Sequence, residues 1–275
     1  MMNVCYCGNS GVFPGLLLSL LSLREQTSEV LAVYLVSGDF TSLDERFVPL
    51  GEKERLFLEK TLQEKNPDSR VVLLDDSALF LKEFLHSPNL KTPYTPYSML
   101  RMVFDLESRL PDRLLYLDTD TIFLKDPSLL YAFDLGQCDR GMVRDAVLSG
   151  LLDERYCNSG VILLDLKKIR ANGLLQAGRA LLNEKHYTMP DQEALNHIQS
   201  EGVLLLPRCF NEQREIRPDT VIRHYCQQVR RFPLIYVEKA KPWEGERFQK
   251  AYPKDVYPAL FSLFEKKKRE FLKLR

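Results

Sequence analysis

Several things are scarce in this 275-residue chain. There is no excess of either charge: 38 Lys plus Arg balance 38 Asp plus Glu. A neutral chain has no global basic field of the kind that drives nucleic-acid binding, so an anionic ligand must be held locally. Six cysteines (Cys5, Cys7, Cys138, Cys157, Cys209, Cys226) show no C-x-x-C spacing, which argues against a zinc ribbon or dithiol motif. Most of them sit in or beside apolar runs, as reduced core cysteines do, and a reducing, cytoplasmic compartment is expected. Apolar runs long enough to span a bilayer are missing; residues 16–23, broken by serines, are much too short, and no positively charged leader precedes them. No internal repeat, low-complexity linker or G-x-G-x-x-G fingerprint occurs. The length suits one large domain, or one domain with a small appendage.

What is present is organised around Leu114-Leu115-Tyr116-Leu117-Asp118-Thr119-Asp120-Thr121-Ile122-Phe123-Leu124. An apolar run of strand length stops at two acidic residues one position apart, which is how a buried parallel strand delivers carboxylates to the open edge of its sheet. Residues i and i+2 of an extended backbone point the same way, so Asp118 and Asp120 can share one hard cation such as Mg²⁺ or Mn²⁺. The same letters also serve a plain turn, with Thr121 or Asp126 capping a short helix begun by Pro127.

Around this stretch the spacing predicts alternating strands and helices. Residues 3–7 form a first strand, closed by Gly8-Asn9-Ser10-Gly11, and Pro14 opens a helix to about Arg24. The glycine-flanked turn suits a nucleotide or a simple strand-to-helix connection equally. Strands are predicted over 30–36 and 70–74, with an amphipathic helix over 52–64 presenting Leu56, Phe57 and Leu62. Ser77 is placed as the cap of a helix through Leu85, and Pro88, Pro93 and Pro96 forbid regular structure until Tyr97. Residues 97–106 read as a helix carrying Arg101, either a carboxylate or phosphate bridge or an exposed cation. A short strand is expected over 140–143, a pocket-shaping loop over 144–155, and a buried strand preceded by Tyr156-Cys157-Asn158-Ser159-Gly160. The amide of Asn158 and the small residues after it leave room for a ligand, or form an Asx turn. Then follow a helix over 174–183, a helix start at Pro190-Asp191-Gln192-Glu193 where Asp191 is a possible cap, and late strands over 203–206 and 220–223, the second running into His224.

Taken in order, Arg101, then Tyr116-Leu117-Asp118-Thr119-Asp120, then Asn158-Ser159-Gly160-Val161, then Asp191-Gln192, then His224 and Lys241-Pro242-Trp243, resemble glycosyltransferase family 8. Those are retaining enzymes that include bacterial lipopolysaccharide galactosyl- and glucosyltransferases and glycogenin. The resemblance implies an α/β GT-A fold, a mostly parallel mixed sheet flanked by helices, over residues 1–250, with a smaller C-terminal helical extension over 251–275. It implies Mn²⁺, or Mg²⁺, on Asp118, Asp120 and His224, gripping the diphosphate of a UDP-sugar donor. By the same resemblance Arg101, Asn158 and Asp191 address the donor sugar, Gln192 lies beside the anomeric carbon and Lys241 touches the diphosphate. Gly8, Asn9, Thr119, Ser159 and Gly160 complete the expected donor contacts, with Asp191 and Gln192 as the catalytic pair.

Two departures from the family stand out. The first turn offers Asn9 rather than an acidic residue, and base stacking falls to Phe13 or a residue elsewhere. His224 and Lys241 are separated by residues 225–240, so both reach one site only if that insert folds back, as Pro233 and the β-rich 234–237 suggest. The expected acceptor is a glycan or lipid-linked glycan, and no nucleic acid is expected. A C-terminal segment with Tyr257, Leu260, Phe261, Phe264, Phe271 and Leu272 on one helical face and a net charge of 6 − 2 = +4 over 265–275 suits either a helix packed on the domain or peripheral contact with an anionic membrane on its inner face. A metal-dependent phosphohydrolase using Asp118 and Asp120, and a non-catalytic nucleotide-sugar-binding protein, are the rival functions.

Overall fold

The computed structural model describes residues 1–92, 96–151, 153–198, 202–230 and 236–274. Strand β1 (Met2–Cys7) passes through a single 3₁₀ turn (Ser10–Val12) into helix α1 (Phe13–Gln26), with Pro14 in the first turn, where its missing N–H costs no hydrogen bond. There follow β2 (Leu31–Ser37), α2 (Glu52–Gln63), β3 (Arg70–Asp75), α3 (Ser77–Phe84), β4 (Arg113–Leu117), β5 (Thr121–Phe123), α4 (Ser128–Tyr131) and β6 (Arg140–Arg144). The second half holds β7 (Cys157–Asp165), α5 (Leu166–Asn172), α6 (Leu174–Glu184), α7 (Pro190–His197), β8 (Val203–Leu205), β9 (Ile222–His224), β10 (Gln228–Arg230), β11 (Tyr236–Glu238), α8 (Glu246–Ala251) and α9 (Pro258–Leu272). Gly173, at φ +69°, closes α5 in the left-handed conformation and turns the chain into α6.

Seven strands form one sheet in the order β3-β2-β1-β4-β7-β6-β8, in which only β7 runs against its neighbours. Strand order reverses between β1 and β4, so the crevice at their carboxyl ends is the switch point where α/β sheets bind ligands. Asn9 follows β1 and Asp118 follows β4, which puts both at that crevice. Apolar layers cover both faces: Leu16, Leu20, Phe57 and Phe264 on one side, Phe80, Met102, Ile169 and Leu195 on the other.

Local differences from the sequence pattern have simple causes. Ser77 does not cap α3; its hydroxyl donates to Asp75 Oδ1 and accepts from the Asp39 amide, and Asp76 takes the position before the helix. A 3₁₀ turn (Pro88–Lys91) forms among the prolines, with the Ser87 hydroxyl accepting from the Asn89 amide, and Pro93 lies outside the described residues. Arg101 is carried by 3₁₀ structure (Tyr97–Val103) rather than a full helix. Leu56 faces solvent, whereas Leu58 joins Phe57 and Leu62 in the core. Asn158, Ser159 and Gly160 lie inside β7 instead of before it. There the pairing with β6 jumps from Met142–Ile162 to Val143–Asn158, a bulge of the kind that re-aims side chains beside a site.

Candidate active site

Asp118, Thr119 and Asp120 form the turn between β4 and β5, with the Asp118 amide held by the Gly160 carbonyl at 2.8 Å. A chain of buried hydroxyls fixes this turn from below. Thr121 donates to the Asp118 carbonyl (2.9 Å) and touches Ser19 of α1 (2.9 Å), which in turn meets the Tyr6 hydroxyl (3.0 Å). One oxygen of Asp118 is spoken for: Tyr116 Oη and Arg101 Nη2 both donate to Oδ1, at 2.7 and 2.9 Å. The other oxygen, Oδ2, faces His224 Nε2 at 3.7 Å.

His224 arrives through strand pairing. β5 and β9 run antiparallel with Thr121 opposite His224, and the Tyr225 amide donates to the Asp120 carbonyl at 2.9 Å. Beyond Tyr225, β10 and β11 pair antiparallel, residues 231–235, Pro233 among them, lying outside the described residues, and Lys241 returns to the same carboxylate, where its Nζ donates to Asp120 Oδ2. His224 and Lys241 thus reach one site, as the sequence required. Trp243 packs its ring over Gly15 of α1, where a Cβ would lie 2.5 Å from the ring, and this anchors the segment that carries Lys241. Burial opposes charge on Asp120, yet Lys241 holds that carboxyl far below the ordinary range.

Which nitrogen of His224 carries the proton follows from a chain of bonds. The Gly160 amide donates to Asn158 Oδ1 at 3.0 Å, which fixes that side chain's orientation. Asn211 Nδ2 donates to the same oxygen at 2.9 Å, so Asn211 Oδ1 faces His224 Nδ1 at 3.0 Å. Nδ1 must therefore be the N–H, leaving a lone pair on Nε2. That buried Nε2 makes no aligned hydrogen bond, although it stands 3.1 Å from Asp120 Oδ1. A lone pair facing two carboxylates is unfavourable without a cation between them, and Asp118, Asp120 and His224 place one ligand atom each within 4.8 Å of one another. Gly160 borders the same space: a Cβ there would fall 2.1 Å from His224 Cε1 and 2.8 Å from Asp118 Oδ2. The residues present fit a divalent metal; they do not select between Mn²⁺ and Mg²⁺.

The second half of the site sits on α7. Asp191 is not a cap; its Oδ2 accepts from the Ser159 hydroxyl at 3.0 Å and pairs with Arg101 Nη1 at 3.3 Å. Burial raises its pKa, and Arg101 partly offsets that. Arg101 is itself buried, stacked 4.0 Å from the Tyr116 ring centre, and donates to the Ser159 carbonyl. Its role as a carboxylate bridge is thereby visible, and the exposed alternative is not. Gln192 Oε1 accepts from the Ser159 amide and from Asn158 Nδ2, both at 3.1 Å, while its Nε2 donates to Asp145 Oδ2 at 3.3 Å.

The base end is less well matched. Asn9 donates to the Arg46 carbonyl at 3.4 Å, and Gly8 precedes it with Val12 folded close over it. Phe13 cannot stack on a base, because it is buried between Phe57 and Phe271, 4.3 Å from the second ring. The aromatic beside Asn9 is Tyr97, half-buried against Phe40 and Phe47, whose hydroxyl donates to the Gly38 carbonyl at 3.0 Å. Tyr97, Tyr116, Asp145 and Asn211 are the site residues that the sequence pattern missed. Only Tyr116 had a signal, its i, i+2 relation to Asp118 on one strand face.

The characteristic sequence pattern of glycosyl transferase family 8 matches residues 4–246. This chain belongs to that family. It is 32% identical to the lipopolysaccharide 1,2-glucosyltransferase of Escherichia coli K12 over 149 residues, 48% of this chain and 44% of that protein. General stress protein A of Bacillus subtilis 168 is 25% identical over 268 residues, 89% of this chain and 88% of its own. Its fold is the GT-A fold of the galactosyltransferase LgtC solved with donor and acceptor sugar analogs, with a TM-score of 0.67 at 18% identity, covering 96% of this chain and all of that one. The glycosyltransferase GlyE of Streptococcus pneumoniae superposes at a TM-score of 0.63 over 97% of this chain and 63% of that one. Membership of that family favours the transferase over the phosphohydrolase reading. The C-terminal helix α9 packs its apolar face inward, with Phe264 buried in the same core as α1.

Proposed function

We propose that this enzyme moves a hexose, galactose or glucose, from a UDP-sugar to a glycan or lipid-linked acceptor in the synthesis of a bacterial cell-surface polysaccharide, with retention of configuration and dependence on Mn²⁺. The observation that carries the reading is the convergence of Asp118, Asp120, His224 and Lys241 at the switch point of the sheet. The similarity to the Escherichia coli lipopolysaccharide 1,2-glucosyltransferase supports a lipopolysaccharide-type glycan.

Asp118, Asp120 and His224 would hold the divalent ion, which supplies positive charge to a leaving diphosphate. Lys241 stands beside them as a second cation, pulled toward Asp120 now and free to turn to phosphate oxygens when donor binds. Asn9 and Tyr97 would take the base, while the room at Gly8 is taken by Val12. Arg101 clamps Asp118 and Asp191 in one geometry, so that Asp191, Ser159 and Thr119 can address sugar hydroxyls, while Asn158, with both amide atoms spent inside the site, holds Gln192 and Asn211 in place. Gln192 is anchored on three sides and can orient or stabilise charge near the anomeric carbon, but an amide is no base.

The deciding experiment is UDP release from a panel of UDP-sugars with Mn²⁺ and no acceptor. Turnover that EDTA abolishes supports the reading, whereas full activity in excess EDTA rejects the metal site. Bound UDP-sugar without any turnover would favour a non-catalytic binder.

A cytoplasmic enzyme at the inner face of the membrane is part of the same reading. No helix among the described residues is long and apolar enough to cross a bilayer. With the apolar face of α9 occupied, a peripheral contact would rest on exposed Lys266, Arg269 and Lys273, since Lys267 is buried against Glu64 and Glu270. Flotation on anionic vesicles should fall when these three are changed to glutamate, and unchanged recovery rejects the contact.

A further inference from the structure

A cavity of about 410 Å³ opens beside Asp145, the carboxylate to which Gln192 Nε2 donates. Val143, Leu205 and Leu206 give it apolar walls, and Arg144, Arg208 and Arg214 ring it. Its size lies within the roughly 300–1,000 Å³ of small-molecule sites.

The charges around it do not cancel internally. Arg208 is neutralised by Glu212, which it grips at 2.7 Å through both Nε and Nη2. Asp145, the one carboxylate of the lining, is saturated. Its Oδ1 accepts from the amides of Val147 (3.0 Å) and Leu148 (2.8 Å), and its Oδ2 from Gln192 and Asn158. Arg144 and Arg214 are exposed, and neither side chain has a carboxylate within ion-pair distance among the described residues; the Arg214 guanidinium donates to the Ala146 carbonyl alone, its backbone amide serving Glu212. Two guanidinium groups with unspent donors therefore face a cavity whose only acid is already satisfied. Guanidinium forks match the paired oxygens of a carboxylate or phosphate. In a chain with no net charge, such a local concentration is what would hold an anion.

We propose that the acceptor glycan is anionic, its phosphate monoester or sugar-acid carboxylate seated between Arg144 and Arg214 while the hydroxyl to be glycosylated faces Gln192. This deepens the transferase reading and rests on it, because the link to the reacting centre runs through the Asp145–Gln192 bond.

The test compares a disaccharide, its 6-phosphate and its 6-uronate as acceptors, using a UDP-sugar already shown to release UDP. The anionic forms should be preferred by about tenfold or more in kcat/KM, and Arg144→Gln with Arg214→Gln should remove most of that preference. Arg144→Lys should restore part of it. The better of the two anions identifies the group. Equal or better use of the neutral disaccharide overturns the proposal, as does a preference that survives the double variant. If no UDP-sugar is turned over, the transferase reading fails separately. Calorimetric titration of glucose 6-phosphate, glucuronate and glucose into wild type and the double variant then decides the pocket alone. Tighter binding of an anion by wild type supports it, and indifference rejects it.

Discussion

Asn211 Oδ1 receives the Nδ1 proton of His224 at 3.0 Å, and that bond sets the Nε2 lone pair against Asp118 and Asp120. Asn211 is wholly buried and its own orientation is dictated through Asn158 by a backbone amide. It acts on the metal site through His224, without touching it. Asn211→Leu should therefore weaken Mn²⁺ binding by about 10–100-fold, the usual effect of losing such support. Calorimetric titration of Mn²⁺ measures it directly, alongside the thermal midpoint as a check on folding. Undiminished affinity would show that the imidazole needs no such partner.

Gly160 borders the space between His224 and Asp118, so even one methyl group collides there. Gly160→Ala should abolish measurable Mn²⁺ binding and slow donor turnover by at least about 100-fold, because the ligands must separate to admit it. Electron paramagnetic resonance of added Mn²⁺ would show only free ion. A bound signal like that of wild type would place the cation elsewhere.

The strand-ended acids, the Asp191–Gln192 helix start and Lys241-Pro242-Trp243 were legible because each is written within a few consecutive residues. Asn211 and Asp145 were not, since both owe their positions to pairings between distant segments: the bridge of neighbouring Glu212 to Arg223 of β9, and the bulged β7 against β6. Phe13 was misread for a related reason. The first turn of α1 has an inward and an outward face, and only the packing of α9, which brings Phe271 to 4.3 Å, shows which one Phe13 occupies. Tyr97 gained its place beside the turn from Phe40 and Phe47, neither of which is near it in sequence.

Asp76 carries a pH effect on stability. Among the described residues no donor hydrogen-bonds its buried carboxyl, Arg109 Nη2 standing 3.7 Å away, and burial followed by the neighbouring Glu107 pushes its pKa up to about 7. The sign follows from proton binding: the folded state holds a proton that the unfolded state releases near pH 4. The associated stability is complete below that value and is lost as pH rises toward and past 7. Glu107, held low chiefly by Arg109, works in the opposite direction and lessens the net effect. Asp76→Asn keeps a donor toward Glu107 without a titrating proton. Its thermal midpoint should exceed that of wild type by several degrees at pH 8 and converge with it only near pH 4. A constant difference across that range would remove Asp76 as the source.

Retention is the stereochemical expectation, and the structure sharpens its basis. An inverting enzyme needs a carboxylate free to take the acceptor proton on the face opposite the leaving group. Asp191 is committed to Arg101 and Ser159, and Asp145 to two backbone amides and two side-chain amides, so neither is a free base. Gln192 has its oxygen turned to the Ser159 amide and its nitrogen to Asp145, which fits it for positioning rather than proton transfer. Same-face attack, with the departing phosphate taking the proton, asks nothing more of these residues. Gln192→Ala should then slow turnover by roughly 10–1,000-fold through lost positioning and charge stabilisation, without eliminating it. NMR of the first product from an α-linked UDP-sugar should show an α linkage in both wild type and variant. A β linkage would require a base that the geometry around Gln192 does not supply, and would overturn the assignment of that residue.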